Sequence, residues 1–161
     1  MSAIYRDESE TYEINLEAAG WSAGGELQDK FRAAGSFLNA VDWIAEVDGN
    51  LLLIEFKNYE APDAIVANRE KFYQNILRKY YFSAYYLLAS GQQKTMNYIL
   101  VAEAPNLDKV IGKRAQSSIQ RRLPFDLQQN PEIPDVLIDF FKILSVSEWN
   151  IQYPMFPLGR C

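Results

Sequence analysis

Asp42, Glu55 and Lys57 are the residues of this 161-residue chain whose types and spacing point most directly to chemistry. Asp42 stands in the apolar run Ala40-Val41-Asp42-Trp43-Ile44-Ala45, and Glu55 and Lys57 close the run Leu51-Leu52-Leu53-Ile54-Glu55-Phe56-Lys57. Residues two apart in a strand share a face, so Glu55 and Lys57 project together while Phe56 turns the other way into apolar packing. Glu and Lys are depleted in strands and rarely enclosed unless paired. If two strands meet at a turn here, Asp42 joins the other two, and two carboxylates and an ammonium converge on one point. Paired carboxylates suit Mg2+, which takes oxygen ligands at roughly 2.0–2.1 Å and keeps several waters, with Mn2+ as a substitute. Beside such an ion, a lysine orients an attacking water and offsets charge developing on a phosphoryl group. The reaction these residues suit is phosphodiester hydrolysis.

Asp42, twelve intervening residues and then Glu55-Phe56-Lys57 resembles the PD-(D/E)XK phosphodiesterase superfamily of restriction-endonuclease-like nucleases, with a spacing similar to that of archaeal Holliday-junction resolvases. The resemblance implies an α/β fold with a restriction-endonuclease-like core. That core is a central mixed sheet flanked by helices in the order α-β-β-β-α-β, followed by a C-terminal helical and strand extension. It also implies a Mg2+-dependent DNA endonuclease in which Asp42 and Glu55 bind metal, the backbone carbonyl of Phe56 adds a ligand and Lys57 assists the water. Val41 stands where many members carry proline. A first helix with an extra acidic residue facing the metal is expected, which places Glu10 or Glu13 there, or Glu26 if that helix does not form. A glutamine or basic residue on the helix after the lysine is expected beside the site, and Gln74 takes that position. Two-fold assembly would place two such sites on one DNA.

Length and composition fit this reading. The chain is long enough for one domain, with a nuclease-like core over about 7–103 and an extension over about 104–161, and 48% hydrophobic residues can fill a single core. The absence of histidine excludes His-based acid/base catalysis, Ser-His-Asp triads and His-containing zinc sites. A lone cysteine, Cys161, excludes an intrachain disulfide. With no signal-like segment and no long apolar run, a cytoplasmic protein without membrane contact is expected. The net charge of −5 opposes binding of a polyanion unless positive charge is concentrated locally. Lys109, Lys113, Arg114, Arg121 and Arg122 supply such a concentration, with no acidic residue among them, whereas 7–26 is strongly acidic. Helical spacing puts Lys109, Lys113 and Gln116 or Gln120 on one stripe, with Ser117, Ser118 and Arg121 alongside as phosphate donors. A solvated helix face accounts for the same residues, and the acidic balance also leaves room for a protein partner that supplies DNA affinity.

The elements that must position these residues follow from periodicity and turn signals. Over 7–19, Tyr12, Ile14, Leu16 and Ala18 alternate as a strand does, while Gly20 would also suit the end of a helix. Gly24-Gly25 marks a turn, 26–34 a first core strand, and 35–39 the connection to Asp42. Asp48-Gly49-Asn50 signals a hairpin into the buried strand 51–57. A long helix opens at Pro62-Asp63 and stops near Ser90-Gly91. It carries two apolar stripes, one through Phe72, Ile76, Tyr80, Ser83 and Leu87, the other through Tyr73, Leu77, Tyr81, Tyr85 and Leu88. One core cannot easily cover both, so the tyrosine-rich helix 63–90 is expected to form a homodimer interface. A buried strand follows over 97–103, then the basic helix to about 123, a polar loop over 124–134, a short helix over 135–141, an edge strand over 142–149 and an extended, aromatic-packed 153–158. Two alternatives come from other classes: a non-catalytic nucleic-acid-binding or assembly module that keeps the fold, and an interaction domain that works through the tyrosine helix.

Overall fold

Asp48 and Gly49 both have positive φ, 52° and 79°, as the two central residues of a type I′ hairpin turn require. Val47 pairs with Asn50 directly across this turn, so β4 (Trp43–Val47) and β5 (Asn50–Asn58) run antiparallel with Trp43 opposite Ile54. In the computed structural model the described residues are 2–35, 38–58, 69–103 and 109–161, with the side chains of 109–111 excluded. Around this hairpin the chain builds a five-stranded mixed sheet in the order β3-β4-β5-β6-β7. β3 (Ser22–Ala23) pairs antiparallel with β4, whereas β6 (Met96–Glu103) and β7 (Phe141–Leu144) continue parallel to β5. Central β5 and β6 are buried on both faces, which is why their sequences read as unbroken apolar runs.

Alternation along these strands sorts the core into two layers. Ile44, Leu51, Leu53, Tyr98 and Leu100 face one side, against Leu27 and Phe31 of α1 (Glu26–Ala33), Tyr73, Ile76, Leu77 and Tyr80 of α2 (Arg69–Ala89), and Ala115 and Ile119 of α3 (Lys109–Gln120). Trp43, Ala45, Leu52, Ile54 and Phe56 face the other, against Tyr12, Ile14 and Leu158 of a small antiparallel sheet and Trp149 of α4 (Val146–Gln152). That sheet has the order β1-β2-β8, from β1 (Ile4–Arg6), β2 (Tyr12–Asn15) and β8 (Leu158–Arg160). The result is a mixed α/β architecture with the main sheet between a helical layer and a second, smaller sheet. None of the described helices is long and apolar enough to cross a membrane.

Several sequence expectations change. The 7–19 segment is a β-hairpin arm with Tyr12, Ile14 and Leu16 buried, so alternation decided it. The predicted strand over 26–34 is α1, whose Leu27 and Phe31 are the i, i+4 pair of an inward helix face. The order α-β-β-β-α-β is therefore replaced, among the described residues, by α1-β4-β5-α2-β6, with one strand fewer between the helices. The helix predicted over 135–141 is absent because side chains take its backbone donors: Gln128 Oε1 accepts from Leu137 and Ile138, and Asn97 Oδ1 accepts from Asp139 at 2.8 Å. The edge strand stops at Leu144 because Ser145 and Glu148 form a capping box that starts α4. Past α4, Phe156 N–H bonds the Tyr153 carbonyl in a turn, and Phe156 is buried, so the aromatic packing holds while the extended shape is confined to β8. The start of the long helix at 62–63 lies outside the described residues.

Candidate active site

One residue before β4 and its Trp43–Ile54 pair, Asp42 brings its carboxyl beside that of Glu55. The Asp42 Oδ2 accepts the Phe56 backbone N–H at 2.8 Å, so the aspartate replaces the next ladder partner after β4 ends. A strand residue turns its N–H and C=O to the same neighbour, which directs the Phe56 carbonyl to this edge as well, while its side chain packs against Trp43 and Tyr12 in the opposite layer. Two further contacts fix the approach to Asp42. Gln28 Oε1 of α1 accepts the Ala40 N–H at 2.8 Å, and buried Ser83 Oγ of α2 accepts the Val41 N–H at 3.0 Å.

Glu55 has no exposed surface. Its Oε2 lies 3.3 Å from Lys57 Nζ and 2.5 Å from Lys79 Nζ, so two ammoniums converge on one carboxylate oxygen. Neither Glu55 oxygen receives a hydrogen bond of good angular geometry. The Asp42 carboxyl is pushed up to about 8, chiefly by burial and then by the charge and proximity of Glu55, against the lowering effects of Lys79 and the Phe56 N–H. Lys57 moves above its ordinary value: burial opposes its charge, but the negative charges of Glu55 and Asp42 outweigh that cost. Lys57 is thus an ammonium at neutral pH, suited to donate to a water or a phosphoryl oxygen and unsuited to accept a proton.

A divalent cation fits this arrangement on the observed donor set. A buried carboxylate oxygen with no donor beside it, Glu55 Oε1, a second carboxylate held close, and a carbonyl on the same edge are oxygen ligands that a hard cation takes. The described residues gather these two carboxylates and no third His, Cys, Asp or Glu in one group. Asp42 also lines a cleft of about 150 Å3 together with Arg6, Glu8, Gln28 and Arg32, which opens the aspartate side of the site to a ligand.

The other expected residues lie elsewhere. Glu10 is exposed at φ 57° in the turn before β2, and Glu13 faces Arg6 at 3.8 Å within the small sheet. The acidic helix that would have aimed either at the metal is a strand pair. Glu26 is also exposed and accepts the Gly24 N–H at 2.6 Å. Gln74 is exposed on α2 and donates to Glu70 at 3.1 Å; five positions on, Lys79 is the α2 residue that reaches Glu55. The sequence shows Lys79 only as one of several cations on that helix.

Lys113 and Arg121 line a groove of about 540 Å3 along α3, with Gln116, Ser117 and Gln120 between them and Asp126 at its edge. Arg114 is exposed outside that lining. Arg122 is committed to a two-pronged ion pair with Glu70, at 2.6 and 3.1 Å, and its carbonyl accepts from Tyr81 Oη. The Lys109 side chain lies outside the described residues. On α2, Tyr73 and Leu77 of the second apolar stripe enter the core, whereas Tyr81, Tyr85 and Leu88 are exposed around an apolar groove of about 560 Å3.

Compared with known protein families, with characterised proteins and with solved structures, the chain matches none.

Proposed function

We propose that this chain is a divalent-metal-dependent phosphodiesterase acting on DNA, built on a restriction-endonuclease-like core. The observation that carries the reading is the Asp42 carboxyl beside Glu55 at the end of the β4–β5 hairpin, with Lys57 at 3.3 Å from Glu55 and the Phe56 N–H on Asp42. Asp42, Glu55 and the Phe56 carbonyl would hold Mg2+ or Mn2+. When bound, that ion supplies Lewis-acid polarisation of a phosphoryl oxygen and a lowered water pKa. Lys57, kept charged by its neighbours, donates to the attacking water or to the phosphate as negative charge builds. Lys113 and Arg121 along α3 give a net-negative protein a local surface for phosphates. The exposed part of the tyrosine stripe is the proposed homodimer face.

A second reading draws on the complete enclosure of Glu55: a nucleic-acid-binding or assembly module that keeps the fold without cleaving. One assay decides between them. Labelled duplex, nicked, branched and single-stranded DNAs are incubated at low salt with Mg2+, Mn2+ or EDTA, using wild type, Asp42→Ala and Lys57→Ala. Metal-dependent cleavage lost in both variants supports the nuclease. Absence of cleavage, or cleavage shared by the variants, favours the binding module.

A further inference from the structure

Lys79 is a fourth charged member of the site and arrives from a different layer. Asp42, Glu55 and Lys57 belong to one hairpin, whereas Lys79 descends from α2 and places Nζ 2.5 Å from Glu55 Oε2, closer than Lys57. Its side chain is 12% exposed, against 26% for Lys57, so its charge is more enclosed and less screened. Both ammoniums meet the same oxygen, and neither partners Glu55 Oε1, which is buried without a hydrogen bond. With both carboxylates ionised, as a divalent ion requires, the two negative charges are offset by two ammoniums, and without Lys79 that enclosed group would carry a net negative charge.

A divalent ion held by Asp42 and Glu55 does the same electrostatic work as Lys79, at the same carboxylate. Like charges at short range inside a poorly screened site repel strongly, so the ion and the Lys79 ammonium cannot both stay close to Glu55 at low cost. We propose that Lys79 is a built-in counter-ion that holds Glu55 when no metal is bound and competes with the divalent ion for it, thereby setting the site's metal affinity. The inference rests on the metal-site reading above and deepens it, because Lys79 becomes a positioning residue whose displacement accompanies metal binding.

The test measures metal binding without turnover. Mn2+ is titrated by calorimetry into wild type, Lys79→Met and Lys79→Arg, with Asp42→Ala as a control. Lys79→Met is expected to bind Mn2+ at least tenfold more tightly than wild type, and Lys79→Arg, which keeps the charge, to stay within a few-fold of it. Unchanged or weaker binding by Lys79→Met, with wild-type binding lost in Asp42→Ala, overturns the competition and leaves the metal site intact. Absence of Mn2+ binding in every protein overturns both. If Lys79→Met fails to fold, lysine-side-chain NMR of wild type during Mg2+ titration takes its place. The Lys79 ammonium resonance must then shift as the ion binds; an unmoved Lys79 signal at Mg2+ saturation overturns the proposal.

Discussion

Val41 donates its backbone N–H to Ser83 Oγ at 3.0 Å, tying the residue before Asp42 to the helix that carries Lys79. Both groups are buried, so the bond is the hinge pin between the hairpin and α2. Ser83→Ala leaves the Val41 N–H without an acceptor, which costs about 1–3 kcal/mol. Urea denaturation should show that loss, and under the proposed nuclease function the same variant should cleave DNA more slowly because Asp42 is no longer held beside Glu55. A wild-type midpoint and wild-type rate would remove Ser83 from the account.

Without metal, the Asp42 carboxyl makes stability depend on pH. Its folded-state value of about 8 lies above its ordinary value of 3.8, so between these limits the folded protein holds more protons than the unfolded chain. Its contribution is therefore complete below about pH 4 and is lost as pH rises towards 8, at no more than about 1.4 kcal/mol per pH unit. The charged and titratable groups that face it are Glu55, Lys57, Lys79 and Tyr98 on the sheet and α2 side, and Arg6, Glu8, Asp29 and Arg32 across the cleft. In EDTA, urea unfolding of wild type should weaken from pH 5 to pH 8 more steeply than that of Asp42→Asn, which mimics the protonated carboxyl at every pH. Parallel pH profiles would contradict the upward shift of Asp42 that burial and the neighbouring Glu55 produce.

The α3 groove and the Glu70 ion pair give the basic cluster a residue-by-residue expectation. Lys113→Ala and Arg121→Ala should each weaken DNA binding and lower the salt slope, log K against log salt, by about one contact's worth. Arg122→Ala should leave that slope unchanged, because its guanidinium is already engaged by Glu70. Fluorescence anisotropy at several salt concentrations separates the three. Equal effects at all three positions would mean that the cluster acts as a diffuse field with no particular contact residues.

Gly24 tests the packing that brings α1 to the cleft. A Cβ at this position would lie 2.2 Å from the Tyr5 ring, and Tyr5 Oη is bonded to Ser22 at 3.0 Å. Gly24→Ala must push the ring off that bond, and overpacking of this kind costs roughly 1–3 kcal/mol. Thermal unfolding of Gly24→Ala and of Tyr5→Ala/Gly24→Ala should show the double variant recovering part of the loss, since the clash goes with the ring. A single variant as stable as wild type would mean that β1 gives way at little cost.

What was legible in the sequence was local. The hairpin residues Asp48 and Gly49 and the apolar run after them placed Asp42, Glu55 and Lys57 on one face because strand alternation and a two-residue turn need nothing beyond near neighbours. Ser145 with Glu148 is a capping box and Leu27 with Phe31 a helix face, local signals that the strand expectations for 142–149 and 26–34 passed over. Lys79 and Ser83 were not legible, because their roles depend on how α2 docks against β4 and β5, a relationship between segments far apart in sequence. The missing helix at 135–141 has the same cause: its backbone is claimed by Asn97 and Gln128, which lie outside the segment itself.

The Asp48-Gly49 turn has a further consequence, for evolution by insertion and deletion. Strand faces alternate with a period of two, so one residue gained or lost in this turn would slip β5 against β4 and rotate its side chains by half a turn. Glu55 and Lys57 would then enter the layer of Trp43 and Trp149, and Phe56 would occupy the carboxylate position beside Asp42. A change of two residues would restore the faces but move Glu55 one pair away from Asp42. The twelve-residue interval between the two carboxylates is therefore a counted length, and a relative of this chain that keeps the chemistry should keep the count or compensate it with a bulge in the same hairpin.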